Sequence, residues 1–281
     1  MLRQRVITAL VLVSIMLAAL SANSAWPFAV LTLLMIAAAG WEWGRLNQSG
    51  GPLALAMGVA LALAGAWALS AGWTSQAPAL IWWLTLALWV ASGWLALRAG
   101  PAAWPQLPRV ARWSLGLVAL WAAWLSVAQA RSVGINFLLS VLCLVWMADV
   151  AAYFGGRAFG RRKLAPSISP GKSWEGVWSG MLGVLALAAF WIWLDTRGGF
   201  DGPSVYTRLW QSLGGLGMLV ALLGLCGLSV VGDLVESLVK RAAGAKDSSR
   251  LLPGHGGVLD RVDALLPVVP AALALMTLNL R

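Results

Sequence analysis

The sequence predicts an all-α, polytopic integral membrane helix bundle of about nine transmembrane helices, with the N-terminus inside and the C-terminus outside. Three observations lead there. Of the 281 residues, 60% are hydrophobic and only 11% charged, and the mean hydropathy is +0.80, whereas soluble globular chains are roughly a quarter charged. The apolar residues gather in stretches near the length of about 20 that a bilayer-crossing helix requires. The Lys and Arg residues collect in alternate connections between those stretches, as the positive-inside bias demands.

In chain order the apolar stretches run over 6–21, 25–40, 53–72, 78–97, 112–130, 134–154, 176–194, 212–232 and 264–280. The first has Arg3 and Arg5 ahead of it and Ala22-Asn23-Ser24-Ala25 behind it, which is also the form of a secretory signal with a cleavage site; a retained anchor helix is the expectation. Trp41, Trp43, Trp82 and Trp83 flank shorter stretches and extend them into the membrane interfaces. Residues 1–130 then form an N-terminal region of five spans with no assignable role. Residues 131–281 carry two polar loops, 157–175 and 233–263, on the cytoplasmic side.

The charges test this division. The chain has 20 Lys+Arg and 10 Asp+Glu, a formal charge of +10. With the N-terminus inside, sixteen of the basic residues fall on inside segments, and only Arg131, Arg197, Arg208 and Arg281 fall outside. A basic excess dispersed among membrane loops excludes a nucleic-acid binder. Cys143 and Cys226 lie far apart in apolar stretches, so neither a disulfide framework nor a zinc site is expected.

Polar residues carry the most information in so apolar a chain. Asp149 lies within the sixth stretch, where a carboxylate costs about 2.5–3.5 kcal/mol to insert at mid-membrane; it is either a partner for an arginine or a group facing a polar cavity. Tyr153, four residues on, shares its helix face and reads equally as an interfacial anchor. In the loop R-R-K-L-A-P-S-I-S-P-G-K-S-W-E-G, residues 161–176, prolines and a glycine fix a non-helical turn. Ser169, Lys172 and Ser173 on that turn suit phosphate oxygens, although a basic loop touching anionic lipid would look similar.

Five of the ten acids crowd into 233–263. Asp233 with Glu236, and Asp260 with Asp263, are i, i+3 pairs that share helical faces and flank a basic, Gly-rich loop. Carboxylate oxygens of this kind hold hard cations such as Mg²⁺, completed by water and substrate phosphates. Lys240, Arg241, Lys246 and Arg250 would clamp the phosphates of a nucleotide. An ordinary i, i+4 ion pair between Glu236 and Lys240 is the plain alternative. His255, the only histidine, sits between Pro253-Gly254 and Gly256-Gly257, a backbone that can approach a ligand closely.

The run from Ser237 through Lys240-Arg241, Lys246-Asp247, Ser249, Leu252-Pro253, His255-Gly256-Gly257 and Asp260-Arg261 to Asp263 resembles the phosphatidate cytidylyltransferase family, without gaps. So does the upstream stretch from Asp149 and Tyr153-Phe154 through Leu164-Ala165-Pro166, Ile168-Ser169-Pro170 and Lys172 to Trp174-Glu175-Gly176; Ser173 stands where the family commonly has threonine. The motifs cover about 146–263, and the N-terminal spans match only in being hydrophobic. The resemblance implies that CTP and phosphatidic acid are joined into CDP-diacylglycerol with release of pyrophosphate, in phospholipid biosynthesis at the inner membrane. It implies catalytic roles for Asp233, Asp260, Asp263, Lys240, Arg241 and His255. It implies substrate contacts from Ser169, Lys172, Ser173, Lys246, Asp247, Arg261 and Tyr153. It further implies a metal centre of Asp233, Asp260, Asp263 and, as an outer member, Asp149, taking Mg²⁺ or Mn²⁺ with room for a second cation; a homodimer stays open. The rival expectations are a related CTP-using enzyme, such as a polyprenol kinase or a cytidylyltransferase for another lipid phosphate, and a transporter or channel built on broken helices.

Overall fold

The computed structural model describes residues 2–278; the side chains of Arg3 and Arg5, and Arg281, lie outside the described residues. The elements in order are α1 (Leu2–Leu20), α2 (Trp26–Leu46), α3 (Gly51–Ser70), α4 (Ala79–Ala99), a 3₁₀ turn at Trp104–Gln106, α5 (Arg109–Val133), α6 (Ile135–Phe159), β1 (Lys163–Ala165), β2 (Ser169–Ser173), α7 (Trp174–Arg197), α8 (Val205–Ala242), α9 (Leu259–Val262) and α10 (Leu265–Met276). Each of the nine apolar stretches has its helix. By length and composition, seven of the described helices, α2 to α8, can cross a membrane. The described part of α1 contributes the apolar helix Leu10–Leu20, and α10 has only 12 residues. Its burial explains the shortness: α10 packs against α8, α4, α5 and α6, with Val268, Val269, Ala272 and Ala274 fully covered. Protein, not lipid, surrounds it, so Pro270 inside the helix is tolerated where neighbouring helices can compensate. Outward faces carry Leu55, Leu63, Trp94, Leu182 and Leu216, a large apolar surface that suits lipid.

Small residues bring the helices that position the polar end into close contact. Facing α6 across α7, a Cβ on Gly176 would lie 2.9 Å from the Ala152 carbonyl oxygen, and one on Gly180 would lie 2.8 Å from that of Ala148. Only a bare Cα permits this approach, the usual way membrane helices gain dispersion energy. The α6–α7 pair is thereby held rigid with Asp149 on one member and the β-hairpin at the head of the other.

In α8, Gly214 has φ 73°, ψ −179°, a conformation essentially open to glycine alone, and breaks the helix into two. The part beyond it is about 40 Å long, more than the roughly 30 Å hydrocarbon core. Its last turns therefore leave the apolar zone, and they carry Asp233, Glu236, Lys240 and Arg241. The sequence placed the end of this stretch at 232; the helix continues to Ala242, so the second polar loop narrows to 243–258 plus the short α9.

Hydrogen bonds sort the connections into two ends. At one, Arg131 donates to the carbonyls of Leu20 and Ala22, Asn136 binds Asp195, the amides of Ile135 and Asn136 bind Asp201, and Trp83 binds Thr277 beyond α10. At the other, Trp104 Nε1 donates to Asn47 Oδ1 (2.8 Å), and the 243–263 segment meets the end of α2. Arg131 and Asp201, expected outside, thus share one end, and the two polar loops share the other.

Candidate active site

Three elements build the site end of the bundle: the hairpin after α6, the last turns of α8, and the segment from Gly244 to Ala264. The expected non-helical turn is a β-hairpin, antiparallel, with Lys163 opposite Ser173 and Ala165 opposite Ser169. Lys163 Nζ closes it on the Pro170 carbonyl (2.8 Å), and Ile168 plugs it into the core. Ser173 is the N-cap of α7, its hydroxyl accepting from the Gly176 amide at 3.2 Å. It is buried, so the hydroxyl expected on phosphate serves the helix start. Ser169 and Lys172 remain half-buried on the hairpin.

Lys172 Nζ donates to Asp233 Oδ2 (2.5 Å), which ties hairpin to α8, and Ser237 Oγ donates to Asp233 Oδ1 (3.2 Å). One turn further, Lys240 Nζ lies 2.5 Å from Glu236 Oε2 and 2.6 Å from Asp260 Oδ1. The Glu236–Lys240 ion pair is therefore present, with Glu236 buried. Lys240, expected on nucleotide phosphate, instead spends its charge on two acids. Arg241 donates to the carbonyls of Ile168 and Ala245 and joins hairpin, helix and loop.

The loop is a series of tight turns. Leu252 and Gly256 form an isolated antiparallel bridge, and Gly254 and Gly256 take positive φ. Arg261 donates twice to the His255 carbonyl, at 3.1 and 2.6 Å, so it braces the loop. His255 itself is partly exposed, and Lys246, Asp247 and Arg250 are exposed. Tyr153 is 61% exposed and edge-on to Phe154, on a face of α6 that Asp149 shares, exposed as well.

The four expected metal ligands divide. Asp260 Oδ2 accepts from the Ser248 amide and hydroxyl (both 2.9 Å) and the Gly257 amide (2.7 Å), while Oδ1 takes Lys240. Burial alone would raise its pKa, but the Lys240 ammonium and the two backbone donors prevail and hold it down to about 2. Asp263 stands differently. Burial first, then the charge of Asp233, push it up to about 7, and Asp149 acts on it in the same sense. Asp149, Asp233 and Asp263 thus feel one another's charge, with Lys172 nearby. Among the described residues no three His, Cys, Asp or Glu side chains converge on a point that could hold a metal ion. The convergence of Asp233 with Asp260 and Asp263 is absent because Asp260 is turned to the lysine and the loop. What the remaining acids offer fits a cation on chemical grounds: hard oxygen donors, mutually repelled, one of them driven toward its neutral form by burial and by the charge of Asp233.

Glu42 carries no assignment from the sequence, yet it is as fully hydrogen-bonded as Asp260. It is fully buried and takes hydrogen bonds from Ser248, Ser249, Val258 and Leu259. Its signal in the sequence was its isolation: no other acid precedes Asp149. An apolar groove of about 720 Å³ also runs between α4 and α8, lined by Trp89, Trp94, Val220, Leu228 and Val231.

A model of the cytidylyltransferase family matches residues 3–279. The chain is 39% identical to a phosphatidate cytidylyltransferase of Pseudomonas aeruginosa over 98% of its own length and 97% of that protein's. It is 47% identical to one of Haemophilus influenzae over 49% of this chain and 44% of that one. A third, from Brucella suis, is 45% identical over 52% of this chain and 47% of that one.

Proposed function

The chain belongs to the cytidylyltransferase family, and from that premise we propose that the end of the bundle bearing Lys172, Asp233 and the 243–263 segment joins CTP to phosphatidic acid. The protein is a multi-pass membrane nucleotidyltransferase of phospholipid biosynthesis; its products are CDP-diacylglycerol and pyrophosphate. A phosphate oxygen of the lipid attacks the α-phosphorus of CTP, and the bond to the β-phosphate oxygen breaks as pyrophosphate departs. No protein nucleophile is needed, only alignment and neutralisation of two polyanions.

The observation that carries this reading is the meeting of a hairpin lysine, an acid on α8 and a basic, Gly-rich loop at one end of an otherwise apolar bundle. Lys172 is held at Asp233, where it can turn its charge to an incoming phosphate. Lys246 and Arg250 are exposed on the loop and meet the triphosphate. Asp233 and Asp263, with Asp149 outside them, are the residues that would hold Mg²⁺ or Mn²⁺; such an ion supplies charge neutralisation on the phosphates. Asp260 keeps Lys240 and the loop in register. The apolar groove between α4 and α8 suits a lipid acyl chain. The site end faces the cytoplasm of an inner membrane, with nine crossings, N-terminus in and C-terminus out, because most of the basic residues lie at that end.

The test uses purified protein, phosphatidic acid, Mg²⁺ and CTP labelled at either the α- or the γ-phosphate. Label from the α-position should enter lipid and label from the γ-position should leave as pyrophosphate. Lipid labelled from the γ-position would make the protein a kinase.

A further inference from the structure

We propose that Glu42, on the second N-terminal helix, is a positioning residue that holds the 248–259 segment, and through it Asp260 and Lys240, in place for the transfer reaction; this rests on the function proposed above. The carboxylate is 0% exposed, and each oxygen has two donors within hydrogen-bond distance, one of them, the Ser248 hydroxyl, shared with Asp260. Oε1 accepts from Ser249 Oγ (2.6 Å) and the Val258 amide (3.0 Å). Oε2 accepts from Ser248 Oγ (3.1 Å) and the Leu259 amide (2.7 Å). All four donors come from one segment more than 200 residues away, and none is a lysine or arginine. A buried carboxylate is costly unless its lone pairs are met; here the loop alone meets them, so the loop's place is the one that satisfies Glu42.

The same segment grips Asp260. Ser248 lies between the two acids, with Oγ 3.1 Å from Glu42 and 2.9 Å from Asp260. A hydroxyl has a single proton to donate, so its hydrogen bond goes to one acid at a time, while the Ser248 and Gly257 amides stay on Asp260. Gly257 sits in the remaining gap: a Cβ there would overlap both Ser248 Oγ and Glu42 Oε1. On the other side, α2 is a fixed post. Trp43 Nε1 donates to the Arg112 carbonyl (2.9 Å), Trp104 is hydrogen-bonded to Asn47, and Gly116 leaves room for the Trp43 ring. The chain of contacts runs from α2 through Glu42 and Ser248 to Asp260, Lys240 and α8. It gives the N-terminal helices a part in the chemistry beyond anchoring.

Glu42→Gln replaces an acceptor oxygen by an amide nitrogen that faces two donors. We expect kcat per folded molecule to fall about 10-fold or more, with KM for phosphatidic acid changed less than about threefold, and faster amide hydrogen exchange over 248–259 with exchange in α2 unaltered. Gly257→Ala keeps the carboxylate but pushes the loop away from it, and should reproduce both effects. Ser249→Ala, which removes one donor, should give the same pattern more weakly. If Glu42→Gln does not fold, these two variants decide. Wild-type kcat per folded molecule in a variant whose loop exchange is raised would overturn the proposal, as would unchanged loop exchange in all three. Exchange is measured without substrate, so a wild-type protein that makes no CDP-diacylglycerol refutes the assigned reaction and leaves the Glu42 contact separately tested.

Discussion

Lys172 and Asp233 are 61 residues apart in the chain, yet the lysine's Nζ lies 2.5 Å from a carboxylate oxygen. The pair is the seam between the β-hairpin and the long helix, and both side chains keep about a quarter of their surface open. A cation that is held but not sealed can be handed to a substrate phosphate. Lys172→Ala should therefore lower kcat/KM about 10- to 150-fold, the scale of about 1.5–3 kcal/mol for a lost charge-assisted contact. Expression should be near normal because the pair is at the surface of the site. Unchanged kinetics for both substrates would move the hairpin out of the site.

The acids should separate into two classes. Asp233→Asn and Asp263→Asn should each lower turnover about 100-fold or more and raise the Mg²⁺ concentration needed, and chelator should abolish wild-type activity. Asp260→Asn leaves Lys240 with Glu236 alone. Breaking such a buried pair costs about 3–5 kcal/mol, so its main signature should be a lower Tm with the Mg²⁺ requirement little changed. A titration of activity against Mg²⁺ beside thermal melting of each variant checks the division; identical behaviour of all three would erase it.

Acid stability follows from the same residues. Asp260 is held down to about 2, below the ordinary 3.8, so its contribution is present above about pH 4 and is lost as pH falls toward 2. Asp263 is pushed up to about 7, so in metal-free protein its contribution is largest below about pH 4 and declines as pH rises through 7. Melting in detergent across this range should show both slopes. Asp263→Asn should remove the upper one and Asp260→Asn the lower one. Persistence of the upper slope in Asp263→Asn would assign it elsewhere.

Sidedness is open to direct labelling. A single cysteine placed at Gly198, in a Cys143→Ala, Cys226→Ala background, should react with an impermeant reagent from outside. One at Lys246 should react only after the membrane is opened, and a reporter after Arg281 should read outside. A cytoplasmic reading at Arg281 with an outside reading at Gly198 would mean that α10 does not cross.

By itself the sequence determined what depends on short-range order. Nine apolar stretches became nine helices, and the run from Ser237 to Asp263 stated the family, because hydrophobic period and motif spacing are local properties. Even there, local reading stopped short where context ruled: α8 passed its apolar end to Ala242, and Pro170 and Gly171 sat in a strand of a small hairpin where turn chemistry alone was legible.

Which acid meets which cation was decided only by tertiary structure. Asp260 has Arg261 beside it in sequence but takes Lys240 and the loop amides, and Asp233 takes a lysine from another element. Glu42 is the clearest case: one carboxylate near the end of an apolar helix, satisfied entirely by a segment over 200 residues away. A buried charge must find its partners somewhere, which the sequence makes evident. Where it finds them depends on how the helices pack together around α10, and no local pattern encodes that.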